Sequence, residues 1–372
     1  MTASHGERHY LEERYRDSGA GRSLPMRAYY GLKPLLPRRL QIAMRRLYAK
    51  RQAETEFPRW PIEPLLVERR HYELLAELER RGTERLPTIA SWPDGKRFAA
   101  VLTHDVEGPA GVANVRRIVE IERRHGFVSC WNFVAEWYPI EDGLFDHVRA
   151  AGCEIGLHAI KHDCKLFESR ASFEAELPAI HRYLAEWDAA GFRSPATHRN
   201  PDWMPELGAL YDSSFPDTDP FEPQSGGCCS ILPFFLGEMV ELPITLVQDH
   251  TLWEILRQDT IELWTQKSDW IVENGGLINL IVHPDYLDTP ARLRMYEEFL
   301  EYLAAQRDGW FALPRDVAAW WRTRDGLRCV EDGGAARVEG NGAERARIAW
   351  ASRRDDEAVF GLEPATATLS AS

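Results

Sequence analysis

Four stretches of this chain end apolar runs with side chains that can do chemistry. The first is Leu102-Thr103-His104-Asp105-Val106-Glu107-Gly108. Asp105 and Glu107 follow Phe98-Ala99-Ala100-Val101-Leu102, a run that reads as a buried strand. Residues i and i+2 on a strand share a face, so the two carboxylates stand side by side at its C-terminal end. Burying two like charges is costly unless they share a cation or a proton. One acid can hold a metal while its neighbour acts as a base. A solvated acidic turn is the bland alternative.

A second apolar run, Cys153-Glu154-Ile155-Gly156-Leu157, ends in His158, and His162 follows four positions later. Histidines at i and i+4 share a helix face and can chelate one divalent ion. His5 and His9 have the same spacing but lie in a polar N-terminus with no strand before them. The residue after His158 is Ala159, where a zincin would carry Glu. Arg193 opens the third site in Gly191-Phe192-Arg193-Ser194-Pro195. His283 closes the fourth run, Leu277-Ile278-Asn279-Leu280-Ile281-Val282. A lone His at the edge of an apolar run is commonly structural. Four polar strand ends in one chain favour function, because α/β barrels gather their functional groups at the C-terminal ends of parallel strands.

In order and spacing the four motifs resemble those of the polysaccharide deacetylase family, the NodB-homology or carbohydrate esterase 4 group. They read Thr103-His-Asp-Val-Glu107, His158-Ala-Ile-Lys-His162, Arg193-Ser-Pro195 and Leu280-Ile-Val-His283. The resemblance spans about residues 97–325. It departs from the best-known members in three places. The first motif has an Asp-Val-acid form instead of adjacent aspartates. Ala159 replaces the usual Ser or Thr. The third motif runs on as Ala196-Thr-His-Arg-Asn-Pro-Asp-Trp203.

The resemblance implies a metal-dependent hydrolase that removes an N-acyl (or O-acyl) group from a sugar of a cell-surface polysaccharide or its precursor. It implies Zn²⁺, or another divalent ion such as Co²⁺, Mn²⁺ or Ni²⁺, held by His158, His162 and Glu107. Asp105 is then the base, Arg193 orients it and keeps it ionised, and His283 is the acid that protonates a leaving amine. Trp203, Asp217, Asp219 and Tyr286 are expected to line a sugar pocket. Two other readings stay open. One is a same-fold amidohydrolase of a small cyclic amide. The other is a catalytically silent, metal-bearing sugar-binding protein.

These residues need a scaffold. Strand–helix alternation predicts a parallel sheet closed into a barrel, and the resemblance makes it an incomplete (β/α)7 barrel of the NodB-homology type. We expect this barrel over residues 96–326, an Arg-rich helical N-terminal extension over 1–95, and a small β appendage or tail over 327–372. Within the barrel the expected elements are a helix over 113–124 and strands over 127–134 and 154–158. A helix capped by Ser172 follows, then a functional loop over 212–227. A helix over 252–272, strands over 238–246, 277–282 and 310–314, and a closing helix that includes 318–322 complete the set. In the extension, 64–81 reads as a helix.

At 372 residues the chain can bury a large core. Its six Cys suit a reduced interior better than a disulfide framework. No apolar run approaches the length of a membrane span, and the polar N-terminus lacks a signal-peptide core. We therefore expect a cytoplasmic protein. The net charge of −13 argues against nucleic acid as a partner. The charge is uneven, with twelve Lys/Arg against four Asp/Glu in residues 1–51. Residues 38–51 form a basic amphipathic pattern. Such a helix can make peripheral contact with the inner face of a membrane or dock on the protein's own acidic body, and docking is the preferred reading.

Overall fold

A computed structural model describes residues 5–16, 45–46, 49, 51–332, 335–355 and 357–362. Helices α1 (His5–Leu11) and α2 (Leu65–Arg81) and strand β1 (Arg85–Ile89) precede the barrel. The barrel proper begins with β2 (Phe98–Val106), α3 (Pro109–Arg124), β3 (Cys130–Phe133), α4 (Leu144–Ala150), β4 (Glu154–Leu157) and α5 (Arg170–Glu186). Three short parallel pairings follow, through β5 (Gly191–Phe192), β6 (Tyr211–Asp212) and β8 (Met239–Glu241). Strand β7 (Phe234–Leu236) forms an antiparallel hairpin with β8. The rest is α6 (Glu262–Glu273), β9 (Leu277–Ile281), α7 (Pro290–Ala305), β10 (Gly309–Phe311) and α8 (Pro314–Asp325).

Every residue of β2 is buried, as expected of a parallel strand covered on both faces. It pairs with β9 along Ala99–Thr103, with β10 at its start and with β3 at its end. The sheet then curls through β4, β5, β6, β8 and β7. The remaining gap, between β8 and β9, is bridged without a full strand. The amides of Thr245 and Leu246 both donate to the Asn279 carbonyl at 3.2 Å, and the Asn279 amide donates to the Thr245 hydroxyl at 2.9 Å. This is the incomplete α/β barrel expected from the sequence.

Alternation along β2 sorts the core. Phe98, Ala100, Leu102 and Val106 pack outward with Val115, Ile118 and Val119 of α3, and with Tyr296 and Phe299 of α7. Ala99 and Val101 point inward to Tyr211, Val240 and Leu277. Asp105 has the inward parity. His104 has the outward one: it stacks on Trp131 and faces Glu122 of α3 at 2.6 Å.

Outside the barrel, β1 pairs antiparallel with β13 (Ile348–Arg354), which pairs with β14 (Glu357–Leu362). Helix α2 covers this sheet through Leu74, Leu75 and Leu78. The strands β11 (Arg328–Asp332) and β12 (Ala335–Glu339) form a separate hairpin. None of the six cysteines forms a disulfide. Among the described residues, no helix is long and apolar enough to cross a membrane.

Local chemistry moved several boundaries. The expected helix over 252–272 is two pieces: a π-helical turn at Thr251–Ile255 and α6, separated by Arg257 at φ 58°. Helix α5 is capped by Ser169, whose hydroxyl accepts from the Ser172 amide, so Ser172 lies inside the first turn. Of the basic segment 38–51, residues 38–44, 47–48 and 50 lie outside the described residues. Ala49 packs on Phe221 and Ile255, and Arg46 donates to the Glu254 carbonyl at 2.7 Å.

Candidate active site

The motif residues converge on a cavity of about 390 Å³ at the C-terminal ends of the strands. Asp105, Glu107, His158, His162 and His283 all line it. Asp105 is the last inward residue of β2, and Glu107 follows one residue past the strand. A remote acid fixes this turn: Asp285 accepts from the Glu107 and Gly111 amides, both at 3.0 Å. It thereby satisfies the first turn of α3, whose N-cap Gly108 has no side chain to do so. A Cβ on Gly111 would meet Asp285 at 2.1 Å, so only glycine admits this carboxylate.

His158 and His162 do not share a helix face. Strand β4 ends at Leu157, and Ala159 turns the chain with φ 58°, so a loop brings the two rings to 5.2 Å. Four-residue spacing therefore served, but through a left-handed turn instead of a helix. His158 is buried, and its Nδ1 lies 3.0 Å from the Arg193 carbonyl, which fixes Nδ1 as the protonated nitrogen and frees Nε2. Burial pushes His158 down to about 4, although the nearby Asp105 resists this, so the ring is neutral at physiological pH.

One ligand atom each from Glu107, His158 and His162 lies within 4.8 Å of the others. Glu107 Oε1 and His162 Nε2 are 2.9 Å apart, yet Nε2 makes no hydrogen bond, and neither does Nε2 of His158. A buried His158 nitrogen with no partner and a His162 nitrogen that faces the Glu107 carboxylate, all directed at one region, match the donor set of a divalent metal site. Burial opposes ionisation of Glu107, but His283, His162 and His158 outweigh it and hold its carboxyl well below the usual range.

Asp105 is buried and accepts from Asn132 Nδ2 at 2.8 Å. Gly156 makes room for this amide, since a Cβ there would meet Asn132 Oδ1 at 2.0 Å. Arg193 reaches Asp105 Oδ2 at 3.3 Å with Nη1, while Nη2 donates to Thr103 and Ser213. Burial works against the charge on Asp105, but Arg193, His158 and His283 keep its carboxyl below the usual range. His283 is held by Asp249, which accepts from its backbone amide at 2.8 Å and faces its Nδ1 at 2.6 Å. Its Nε2 stands 3.6 Å from Glu107. Burial disfavours the imidazolium, yet Asp249 and Glu107 push His283 up to about 10.

Of the four residues expected in a sugar pocket, Tyr286 lines the cavity. The other three do not. Trp203 packs with Phe173 and Phe167 in the core below the loop. Asp217 is buried in an ion pair with Lys267 at 2.8 Å. Asp219 turns back to accept from the Phe221 amide at 2.7 Å. These acids brace the loop over 212–227, and part of that loop, Glu222 and Pro223, does form the cavity wall. Sequence reasoning missed Asn132, Asp249, Asp285, Arg45 and His250, none of which sits in a spaced motif.

The chain matches no protein-family model and no curated protein by sequence. Solved structures do resemble it. A provisionally assigned polysaccharide deacetylase from Mycobacterium smegmatis aligns with a TM-score of 0.51 at 21% identity, over 64% of this chain and 94% of its own. Puue allantoinase aligns with a TM-score of 0.50 at 17% identity, also over 64% of this chain and 94% of its own. The chain has the NodB-type deacetylase fold that these structures share.

Proposed function

We propose that the chain is a metal-dependent hydrolase that removes an N-acyl (or O-acyl) group from a sugar of a cell-surface polysaccharide or its precursor. The observation that carries this is the convergence of the His158 and His162 ring nitrogens with Glu107 beside a separately held carboxylate, Asp105. Glu107, His158 and His162 are the residues to hold Zn²⁺, or Co²⁺, Mn²⁺ or Ni²⁺ in its place. Such an ion supplies Lewis-acid polarisation of the acyl carbonyl and acidifies a water.

The chain's own residues do the rest. Asp105, ionised and oriented by Arg193 and Asn132, takes the proton of the attacking water. His283, protonated against Asp249, gives its proton to the departing sugar nitrogen as the C–N bond breaks. The products are a free carboxylic acid and an amine. Tyr286 offers an aromatic face to a sugar ring at the cavity edge.

The likeness to Puue allantoinase favours one second reading, in which the same residues open a small cyclic amide. A panel of acetylated monosaccharides, nucleotide sugars, oligosaccharides and allantoin, each with and without a chelator, decides between them. Chelator-sensitive acetate release supports the deacylase. Turnover of allantoin alone supports the ring opener. Bound metal with no turnover on any of them leaves a silent binding protein.

A further inference from the structure

Arg45 belongs to the N-terminal segment, yet it lines the same cavity as Asp105, His158 and His162. Its Nη2 donates to the Phe221 carbonyl at 3.2 Å, and among the described residues no carboxylate lies within 4.0 Å of it. A guanidinium has five donors and a planar fork, so one anchoring bond leaves most of them for a ligand.

The segment is built onto the site. Glu13 forms a buried pair with Arg199 at 2.5 Å, just downstream of the Arg193 motif. The Tyr15 hydroxyl donates to the Gly227 carbonyl at 2.7 Å, and Gln52 donates to the Pro220 carbonyl at 2.5 Å. A second cavity of about 540 Å³ opens between this segment and the loop, sharing the Glu222 wall with the first. Its aromatic side is Tyr15 against Phe57, with ring centroids 4.9 Å apart, and Arg16 and Arg51 also line it. Glu13 is shared by Arg199 and Arg16, so these three carry one net positive charge.

Deeper in, Arg193 pairs with Asp105 and His283 with Asp249, whereas Arg45 has no carboxylate at such a distance among the described residues. Glu222 and Asp219 are the acids that feel Arg45, and burial raises both carboxyls, that of Glu222 to about 7, so they offset its charge only in part. An acidic protein therefore presents a basic rim where its substrate enters.

We infer that the substrate is an acylated sugar bearing an anionic group, phosphate or carboxylate, and that Arg45 binds that group. This rests on the deacylase reading and adds the charge of its substrate. Three probes test it by calorimetry on the full metal-loaded chain carrying Asp105→Asn, which slows their consumption. They are N-acetylglucosamine 1-phosphate, N-acetylmuramic acid and the neutral methyl glycoside of N-acetylglucosamine. One anion should bind about tenfold tighter than the neutral probe at low salt, and the margin should shrink as salt screens it. The tighter of the two anions names the source of charge. Arg45→Gln should bring the affinities together, and Arg45→Lys should retain part of the margin. Equal affinities, no measurable anion binding, a preference that survives Arg45→Gln, or equal loss of all three probes would overturn the inference. Absence of acetate release by the unsubstituted chain counts against the deacylase reading alone, since the binding comparison stands without turnover.

Discussion

The Arg193 carbonyl oxygen lies 3.0 Å from His158 Nδ1, while the Arg193 guanidinium reaches Asp105 Oδ2 at 3.3 Å. One residue thus aims the proposed metal ligand His158 with its backbone and holds the proposed base Asp105 with its side chain. A substitution at Arg193 removes only the second of these tasks, because the carbonyl remains. Arg193→Met should therefore keep metal affinity near that of the parent chain while acyl hydrolysis falls. Metal titration and acetate release, measured on the same sample, separate the two.

His283 owes its proton to Asp249, so Asp249→Asn should leave the metal in place and lower amide hydrolysis by about 10²–10³, within the range for a positioned acid. Activated esters, whose leaving groups need no proton, should suffer less. The ratio of amide to ester turnover checks this. An unchanged ratio removes His283 from the role of acid.

Ala159 holds φ 58° between the two histidines. Glycine tolerates that conformation, whereas a β-branched residue strains it by roughly 1–3 kcal/mol. Ala159→Gly should bind metal as the parent does, and Ala159→Val should bind it at least tenfold more weakly. Equal affinity in both would mean that this turn does not aim the ligands.

The order of strand ends was legible because each motif follows a short apolar run. Burial of β2 and β9 on both faces writes itself as continuous apolar sequence. Asp105 and Glu107 were legible as a pair because strand parity is local. Asp249 was not, since it meets His283 across 34 positions with no repeat to announce it. Arg45 and Glu13 were hidden in the same way, in a segment legible only as basic. Trp203, Asp217 and Asp219 misled for a different reason. Aromatic and acidic residues in a long loop suit a sugar, yet here Phe173 and Lys267 claim two of them for packing and ion pairing.

His250 borders the cavity, and burial, then Arg45 and His283, push it down to about 4. An unfolded histidine titrates near 6.5. As pH falls, the unfolded chain therefore takes up this proton first, so stability is full above about pH 6.5 and is lost between there and about 4. His250→Asn should flatten that slope by up to roughly 1 kcal/mol per pH unit. Urea unfolding across this window measures it. A slope identical to the parent's assigns the acid sensitivity to other groups.

The division of labour between Glu107 and Asp105 is the centre of the account, and metal content measured beside acetate release for Glu107→Gln and Asp105→Asn tests it directly. Glu107→Gln should lose metal, because an amide oxygen is a poorer ligand than a carboxylate. Asp105→Asn should retain about one ion per chain and lose roughly 10²–10⁴ in rate. Metal lost with Asp105→Asn and kept with Glu107→Gln would contradict the account and make Asp105 the ligand.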